Sequence, residues 1–278
     1  MSRTTQLACK MLLLLAAAFI VAGPLALAED STLDGSAIHP PDPSDPTREP
    51  PTLVLSFHDP IEYHCMGIAS DGSYYYTING GNASWGEIRT YDLAGEPVNT
   101  VSCAIDARSI HYNPGDGKCY AKTYSNDWVE VDPNTGAFTT VFAGIFQDSQ
   151  SSVALTPDGA HILEHVSGTV FWYDAGTGSM IDSMSGFYFG SFPASSAIAT
   201  DGERMFTWDG TMTYVYDMAG NELENWEIPE GHYGFSLSFA NGLLFSSDDS
   251  LDMWYGYDVG GVTPVEDGTW GSIKSLYR

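Results

Sequence analysis

Between Ser152 and Met184 the chain alternates short apolar runs with glycine-bearing turns. Val153-Ala-Leu155 leads into Pro157-Asp158-Gly159, and His161-Ile-Leu-Glu-His-Val166 leads into Ser167-Gly168. Val170-Phe-Trp-Tyr173 then runs to Asp174-Ala-Gly176, and a last run ends at Met184. Each run is too short for an ordinary helix, is rich in β-branched and aromatic residues, and is bounded by turn formers. That pattern predicts four short strands joined by tight turns.

The same plan recurs. The turn between the first two strands of each unit is Ser70-Asp71-Gly72, Gly115-Asp116-Gly117, Pro157-Asp158-Gly159, Thr200-Asp201-Gly202 and Ala240-Asn241-Gly242, at spacings of 45, 42, 43 and 40 residues. Asp-Gly and Asn-Gly suit two-residue hairpins in which both central residues take φ > 0. A second marker follows each turn: Tyr91-Asp92, Val131-Asp132, Tyr173-Asp174, Tyr216-Asp217 and Tyr257-Asp258, with glycine at 95, 136, 176, 220 and 260. Here the aromatic or β-branched residue ends a third strand and the Asp side chain caps the turn into a fourth. A period near forty implies a propeller or a solenoid. The expected fold class is all-β: a five-bladed β-propeller of four-stranded antiparallel blades, with six or seven blades as the alternative. In the first unit, strands a to d are expected near Cys65–Ser70, Ser73–Ile78, Glu87–Tyr91 and Pro97–Ser102. The a–b and c–d turns share one face. The longer, more varied d–a and b–c connections share the other, where function is expected.

The segment Thr52-Leu-Val-Leu-Ser-Phe57 reads as a d strand that lacks its own a, b and c. A ring must fix its last blade to its first, so this strand is expected to close the fifth blade. Val262–Glu266 competes for that place, but Pro264 lacks the N–H that pairing needs. The remaining boundaries are a signal peptide over 1–28, a Pro/Asp-rich tether over 29–50, the propeller over 51–267, and a tail over 268–278 that is a short helix or a strand. The signal carries Arg3 and Lys10, the apolar run Met11–Val21 and Ala26-Leu27-Ala28 before the cleavage point. A secreted or periplasmic monomer with no membrane span after cleavage is therefore expected.

Charge narrows the partners. Removing a signal that holds two basic residues and no acidic ones takes the formal charge from −26 to −28. That disfavours nucleic acid and anionic membranes, and leaves an extracellular protein or a carbohydrate. Three cysteines remain, Cys65, Cys103 and Cys119. A 65–103 or 103–119 disulfide and buried inert thiols are both open readings. Asn82-Ala83-Ser84 matches a glycosylation sequon.

These repeats resemble the broad group of bacterial secreted propellers with YVTN-type, NHL-type or quinoprotein-like repeats, over about 52–267. The regular Gly-His and Trp-Asp pair of WD40 repeats and the Gly-Gly of Kelch repeats are missing. Families of this shape include lactonases, gluconolactonases, lyases and pure binding modules, so the resemblance implies a fold and not a reaction.

Two sets of candidate residues lie on the d–a/b–c face. At the mouth of the central channel stand Glu62 and His64, Asp106 and Arg108, Gln147 and Asp148, and Glu230 and His232. Of these, Glu62, Asp106, Asp148 and His232 could hold Ca²⁺ or another divalent cation that activates water. The second set is aromatic: Trp85, Tyr124, Trp128, Phe187, Phe189, Trp208, Tyr233 and Trp254. Most of the tryptophans are expected to pack between blades, and Phe187, Tyr188, Phe189 and Phe192 to be exposed and able to stack on a ligand. Neighbouring strand residues face opposite ways, so His64-Cys65-Met66 cannot converge on one metal. His161 and His165 share a face but stand about 13 Å apart. No catalytic elbow, phosphate loop or zinc spacing is evident. The expected function is a binding or scaffold module for a glycan, peptide or protein, with Glu62, His64, Asp106, Arg108, Asp148, Phe187, Phe189, His232 and Tyr233 as ligand contacts. The alternative is a lactonase-like, metal-dependent hydrolase or lyase.

Overall fold

The computed structural model describes residues 51–60, 64–191, 196–228 and 237–260. The signal peptide, tether and tail fall outside these residues, as do Val262–Glu266, Glu62, Phe192, Glu230, His232 and Tyr233.

The described chain forms five four-stranded antiparallel sheets. Blade 1 is β2 (His64–Ser70), β3 (Tyr74–Gly80), β4 (Glu87–Asp92) and β5 (Pro97–Ser102). Blade 2 is β6 (Ala107–Asn113), β7 (Lys118–Thr123), β8 (Trp128–Val131) and β9 (Phe138–Phe142). Blade 3 is β10 (Val153–Leu155), β11 (His161–Val166), β12 (Thr169–Asp174) and β13 (Met180–Ser185). Blade 4 is β14 (Ile198–Thr200), β15 (Arg204–Trp208), β16 (Met212–Asp217) and β17 (Glu222–Glu227). Blade 5 is β18 (Ser238–Ala240), β19 (Leu243–Asp248) and β20 (Met253–Asp258), completed by β1 (Thr52–His58). Each innermost strand touches the next: β2 lies on β6, β6 on β10, β10 on β14, β14 on β18 and β18 on β2. The ring therefore closes at five blades, as the repeat implies. A 3₁₀ turn, Ala83–Trp85, lies in the β3–β4 connection.

Closure is built as the lone N-terminal strand requires. β1 pairs antiparallel with β20, Thr52 opposite Asp258 and Phe57 opposite Trp254. Phe57 is buried, with its ring 4.7 Å from that of Tyr91 in blade 1. The core sits in five layers between blades rather than inside any one sheet. Met66, Ile78, Ile110 and Val129 fill the blade 1–2 layer, and Trp128, Phe146 and Tyr173 the blade 2–3 layer. Leu163, Phe187 and Tyr216 fill the blade 3–4 layer, Phe206, Trp208 and Tyr257 the 4–5 layer, and Phe57, Tyr75 and Trp254 the 5–1 layer. A sheet with two faces to cover finds both in its neighbours, which is why inner strands read as continuous apolar runs.

The first turn marker works differently from expectation. At Asn241-Gly242 both residues carry positive φ, but at the four Asp-Gly turns only the glycine does. Asp keeps an ordinary backbone and spends its side chain instead: Asp71 Oδ1 accepts from the N–H groups of Ser73 and Tyr74, and Asp201 Oδ1 from those of Glu203 and Arg204. These are Asx turns, in which a carboxylate satisfies the corner amides that φ > 0 would otherwise have to aim.

The second marker works as expected and does more. Asp92 Oδ1 accepts from Ala94 and Glu96, Asp132 Oδ1 from Asn134, Asp174 Oδ1 from Gly176 and Thr177, Asp217 Oδ1 from Ala219 and Asn221, and Asp258 Oδ1 from Gly260. The positive-φ glycine that follows seats against the preceding blade. A Cβ on Gly95 would stand 2.6 Å from Phe57 Cβ, on Gly136 1.9 Å from the Ser102 carbonyl, on Gly178 2.7 Å from the Phe142 ring, and on Gly220 3.5 Å from Met184 Sδ. In blade 3 this role falls to Gly178 rather than Gly176.

Cys65, Cys103 and Cys119 are buried free thiols. Burial pushes Cys103 up to about 11 and Cys119 up to about 12, and holds Cys65 well above the usual range. The inert-thiol reading is the one this structure shows.

Candidate functional site

At the blade 1–2 junction three connections meet on Asp106 and Arg108. Asp106 Oδ1 accepts from the Gly81 amide of the β3–β4 connection and from Arg108 Nη1 at 2.5 Å. Arg108 is buried. It also donates to the Ala107 carbonyl and to Gln150 Oε1, and its guanidinium lies 4.8 Å from the Tyr124 ring centre. Arg108 thus ties the loops of blades 1, 2 and 3 together rather than presenting donors to solvent. Tyr124 is exposed beside it, and Trp85 is exposed in the β3–β4 connection.

The blade 2–3 junction holds a buried carboxylate that sequence reasoning missed. Glu164, on β11, accepts from the Gln147 and Asp148 amides, from Ser151 Oγ, and from Tyr173 Oη at 2.7 Å. The fully buried Lys122, on β7, donates to the Asp148 carbonyl at 2.7 Å and lies over Phe146. Burial lowers its ammonium to about 8, with Glu164 opposing. The expected site residue Asp148 therefore belongs to a clamped loop: its carbonyl holds Lys122 and its Oδ1 accepts from Gln150.

The blade 5–1 junction repeats the device. Asp59 is fully buried and accepts from Tyr91 Oη at 2.6 Å and Trp254 Nε1 at 3.0 Å. His64 Nδ1 lies 2.8 Å from Asp249 Oδ2, whose carboxyl is raised by burial. The signal for both buried carboxylates was in the chain. The tyrosine of the Tyr-Asp marker reaches with its hydroxyl toward the connection that leads into its own blade, and a buried hydroxyl needs a partner. Tyr91, Tyr173 and Tyr216 each use theirs this way.

The blade 3–4 junction carries the aromatic segment. Phe187, expected to be exposed, is 4% exposed and packs 4.6 Å from the Tyr216 ring. Tyr188 and Phe189 are 52% and 48% exposed. Their backbone is nonetheless pinned: the Gly186 and Phe187 amides donate to the Gly168 carbonyl, the Tyr188 amide to Tyr216 Oη, and Thr207 Oγ1 to the Tyr188 carbonyl. Gly190 lies so close to the Asp209 carbonyl that a Cβ would overlap it. Trp128, Trp208 and Trp254 are buried between blades.

The expected metal set is only partly visible. Glu62 and His232 lie outside the described residues, and Asp106 is paired with Arg108. Among the described residues no group of three or more His, Cys, Asp or Glu converges to hold a metal ion. His165 is buried with Nδ1 on the Ala197 carbonyl and Nε2 accepting from the Gly168 amide, and burial lowers it to about 4. His161 packs on Trp172. Among the described residues no helix is long and apolar enough to cross a membrane.

No family model matches the chain, and no curated protein matches it. Among solved structures it is similar to the crystal structure of the β-propeller domain of Cps50 (Swd1) from Myceliophteria thermophila, at 14% identity and a TM-score of 0.40, covering 70% of this chain and 84% of that one.

Proposed function

We propose that this propeller is a secreted, monomeric binding module that takes an extracellular protein or carbohydrate on the face formed by the d–a and b–c connections. One observation carries the reading. Tyr188 and Phe189 stand in solvent on a backbone fixed by hydrogen bonds to two strands of blade 4 and to the Gly168 turn. Rings held rigidly in water lose little freedom on binding, which is the property of an interface anchor. Trp85 and Tyr124 extend the same face. The hydrolytic alternative finds no support among the described residues, since Asp106 and Asp148 are both engaged in holding loops.

The test pairs binding with stability. Oligosaccharides and peptides are titrated against the wild type and against the Tyr188→Ala/Phe189→Ala variant. A ligand whose affinity drops about tenfold, a change of about 1.4 kcal/mol, while the melting temperature holds, supports the reading. A set of ligands that bind both proteins equally removes the segment from the interface. A melt with Ca²⁺, Mg²⁺, Zn²⁺ or Mn²⁺ added after EDTA tests the alternative. An ion-selective rise of about 2.7 kcal/mol at a hundredfold excess over Kd would revive it.

A further inference from the structure

Every Lys and Arg among the described residues is already engaged. Arg89 pairs with Glu87 and Asp59, Arg108 with Asp106, Lys118 with Glu130 and Arg204 with Asp201, while Lys122 is buried on the Asp148 carbonyl. Among the described residues no Lys or Arg is left to answer Asp209 and Glu227. Both lie on blade 4, the blade to which the ring segment is hydrogen-bonded. Asp209 follows β15; its Oδ1 accepts from the Thr211 and Met212 amides and its Oδ2 from Tyr214 Oη at 2.9 Å, neutral donors that leave its charge in place. Tyr188 stacks on Tyr214 with ring centres 4.3 Å apart. Glu227, exposed at the end of β17, stands opposite Met212, three residues beyond Asp209.

We infer that the patch of Tyr188, Phe189, Asp209 and Glu227 receives a lysine or arginine side chain of a partner protein. This rests on the binding-face reading and names its ligand. The exposed face of Tyr188 offers a quadrupole that attracts a cation, and the aromatic stack beneath fixes its angle. The two carboxylates give the site its sign, and a chain of net charge −28 after signal removal draws such a partner in. A neutral sugar would gain from the rings but nothing from the carboxylates' charge.

The probe is a short peptide of alternating Lys and Gly, compared with the same peptide acetylated on every lysine. Full-length mature protein is titrated at low salt and again at about 0.5 M salt, where screening is strong. The lysine peptide is expected to bind, and to weaken about tenfold with acetylation, with Tyr188→Ala/Phe189→Ala, and severalfold with Glu227→Gln. Glu203→Gln removes the same charge from the opposite face and is expected to change nothing. Equal loss from Glu203→Gln and Glu227→Gln would mean that net charge alone binds the peptide, and would overturn the inference. So would a wild type that ignores the lysine peptide. If the acetylated peptide binds as well as the charged one and both lose affinity in the ring variant, the binding face stands and its preference for a cation falls. Circular dichroism melts of each variant separate these results from misfolding.

Discussion

The two faces of the ring are cut from the same strands and are held by opposite kinds of contact. On the a–b/c–d face an Asp caps its own turn, accepting from amides two to four residues ahead, in every blade. On the d–a/b–c face the groups that matter meet from far apart in the chain. Tyr91 reaches Asp59 across 32 residues, Arg108 reaches Gln150 across 42, and Trp254 reaches Asp59 across 195. The first face is a periodic device repeated five times. The second is a set of single solutions, one for each junction, and that is where a surface can specialise without disturbing the ring.

The largest expected effect comes from removing what both faces share. Deleting 52–57 takes the outer strand from blade 5 and Phe57 from the 5–1 layer, and should abolish the cooperative melt. Phe57→Ala, a milder break, should cost about 3–5 kcal/mol. An unchanged melting temperature in the deletion would show that the ring does not depend on β1.

This contrast also explains what could be read from the chain. Blade count, strand order and ring closure were legible because they rest on local marks: Asp-Gly turns, Tyr-Asp strand ends, and one strand without partners. The Asx geometry of the four Asp-Gly turns was misjudged because residue type alone does not say whether Asp supplies a left-handed backbone or an acceptor. Phe187 was misplaced for a related reason. In Gly186-Phe-Tyr-Phe-Gly190 the three rings look alike, and only the neighbouring blade decides that the first enters the 3–4 layer. Arg108 was found, but its task of joining three connections was not, since Gln150 and Tyr124 come close only when the blades pack. Glu164 and Lys122 lie mid-strand, where charge ordinarily marks a solvent face.

Two glycines sharpen the comparison at nearly the same backbone angle. Gly136 (φ 70°) sits in a c–d turn with the Ser102 carbonyl 1.9 Å from where a Cβ would stand, and Gly144 (φ 62°) sits in a d–a connection with open space around it. Gly144→Ala should cost only left-handed strain, about 1 kcal/mol. Gly136→Ala adds a clash with the preceding blade and should cost about 3 kcal/mol. Denaturant titration of both variants reads the difference. Equal losses would mean that the turn glycines serve conformation alone and not the fit between blades.

Next in size is the hydroxyl that anchors a long-range junction. Tyr173→Phe leaves Glu164 buried with one acceptor site unanswered and frees Gln147 Nε2. A loss of about 1–3 kcal/mol is expected. Exchange of the 147–151 amides should quicken more than that of the β11 amides if the carboxylate is chiefly holding the loop. Uniform quickening would make Tyr173 a general packing residue instead.

The smallest effect separates the faces by sign. Hydrogen bonds from Asn134 and Thr135 hold the Asp132 carboxyl below its ordinary value of 3.8, whereas burial raises that of Asp249. A depressed carboxyl gives stability that is present above the unfolded value and is lost as pH falls through the folded one. A raised carboxyl does the reverse: between 3.8 and its folded value the native state holds more protons than the unfolded chain, so its contribution falls as pH rises. Asp132→Asn should therefore flatten the loss of melting temperature below about pH 4, and Asp249→Asn should steepen the acid limb just above it. Melts from about pH 3 to pH 6 on both variants measure the two slopes. Parallel slopes would show that the loop face does not hold Asp249 against ionisation, and the contrast between repeated caps and buried junction groups would lose its electrostatic half.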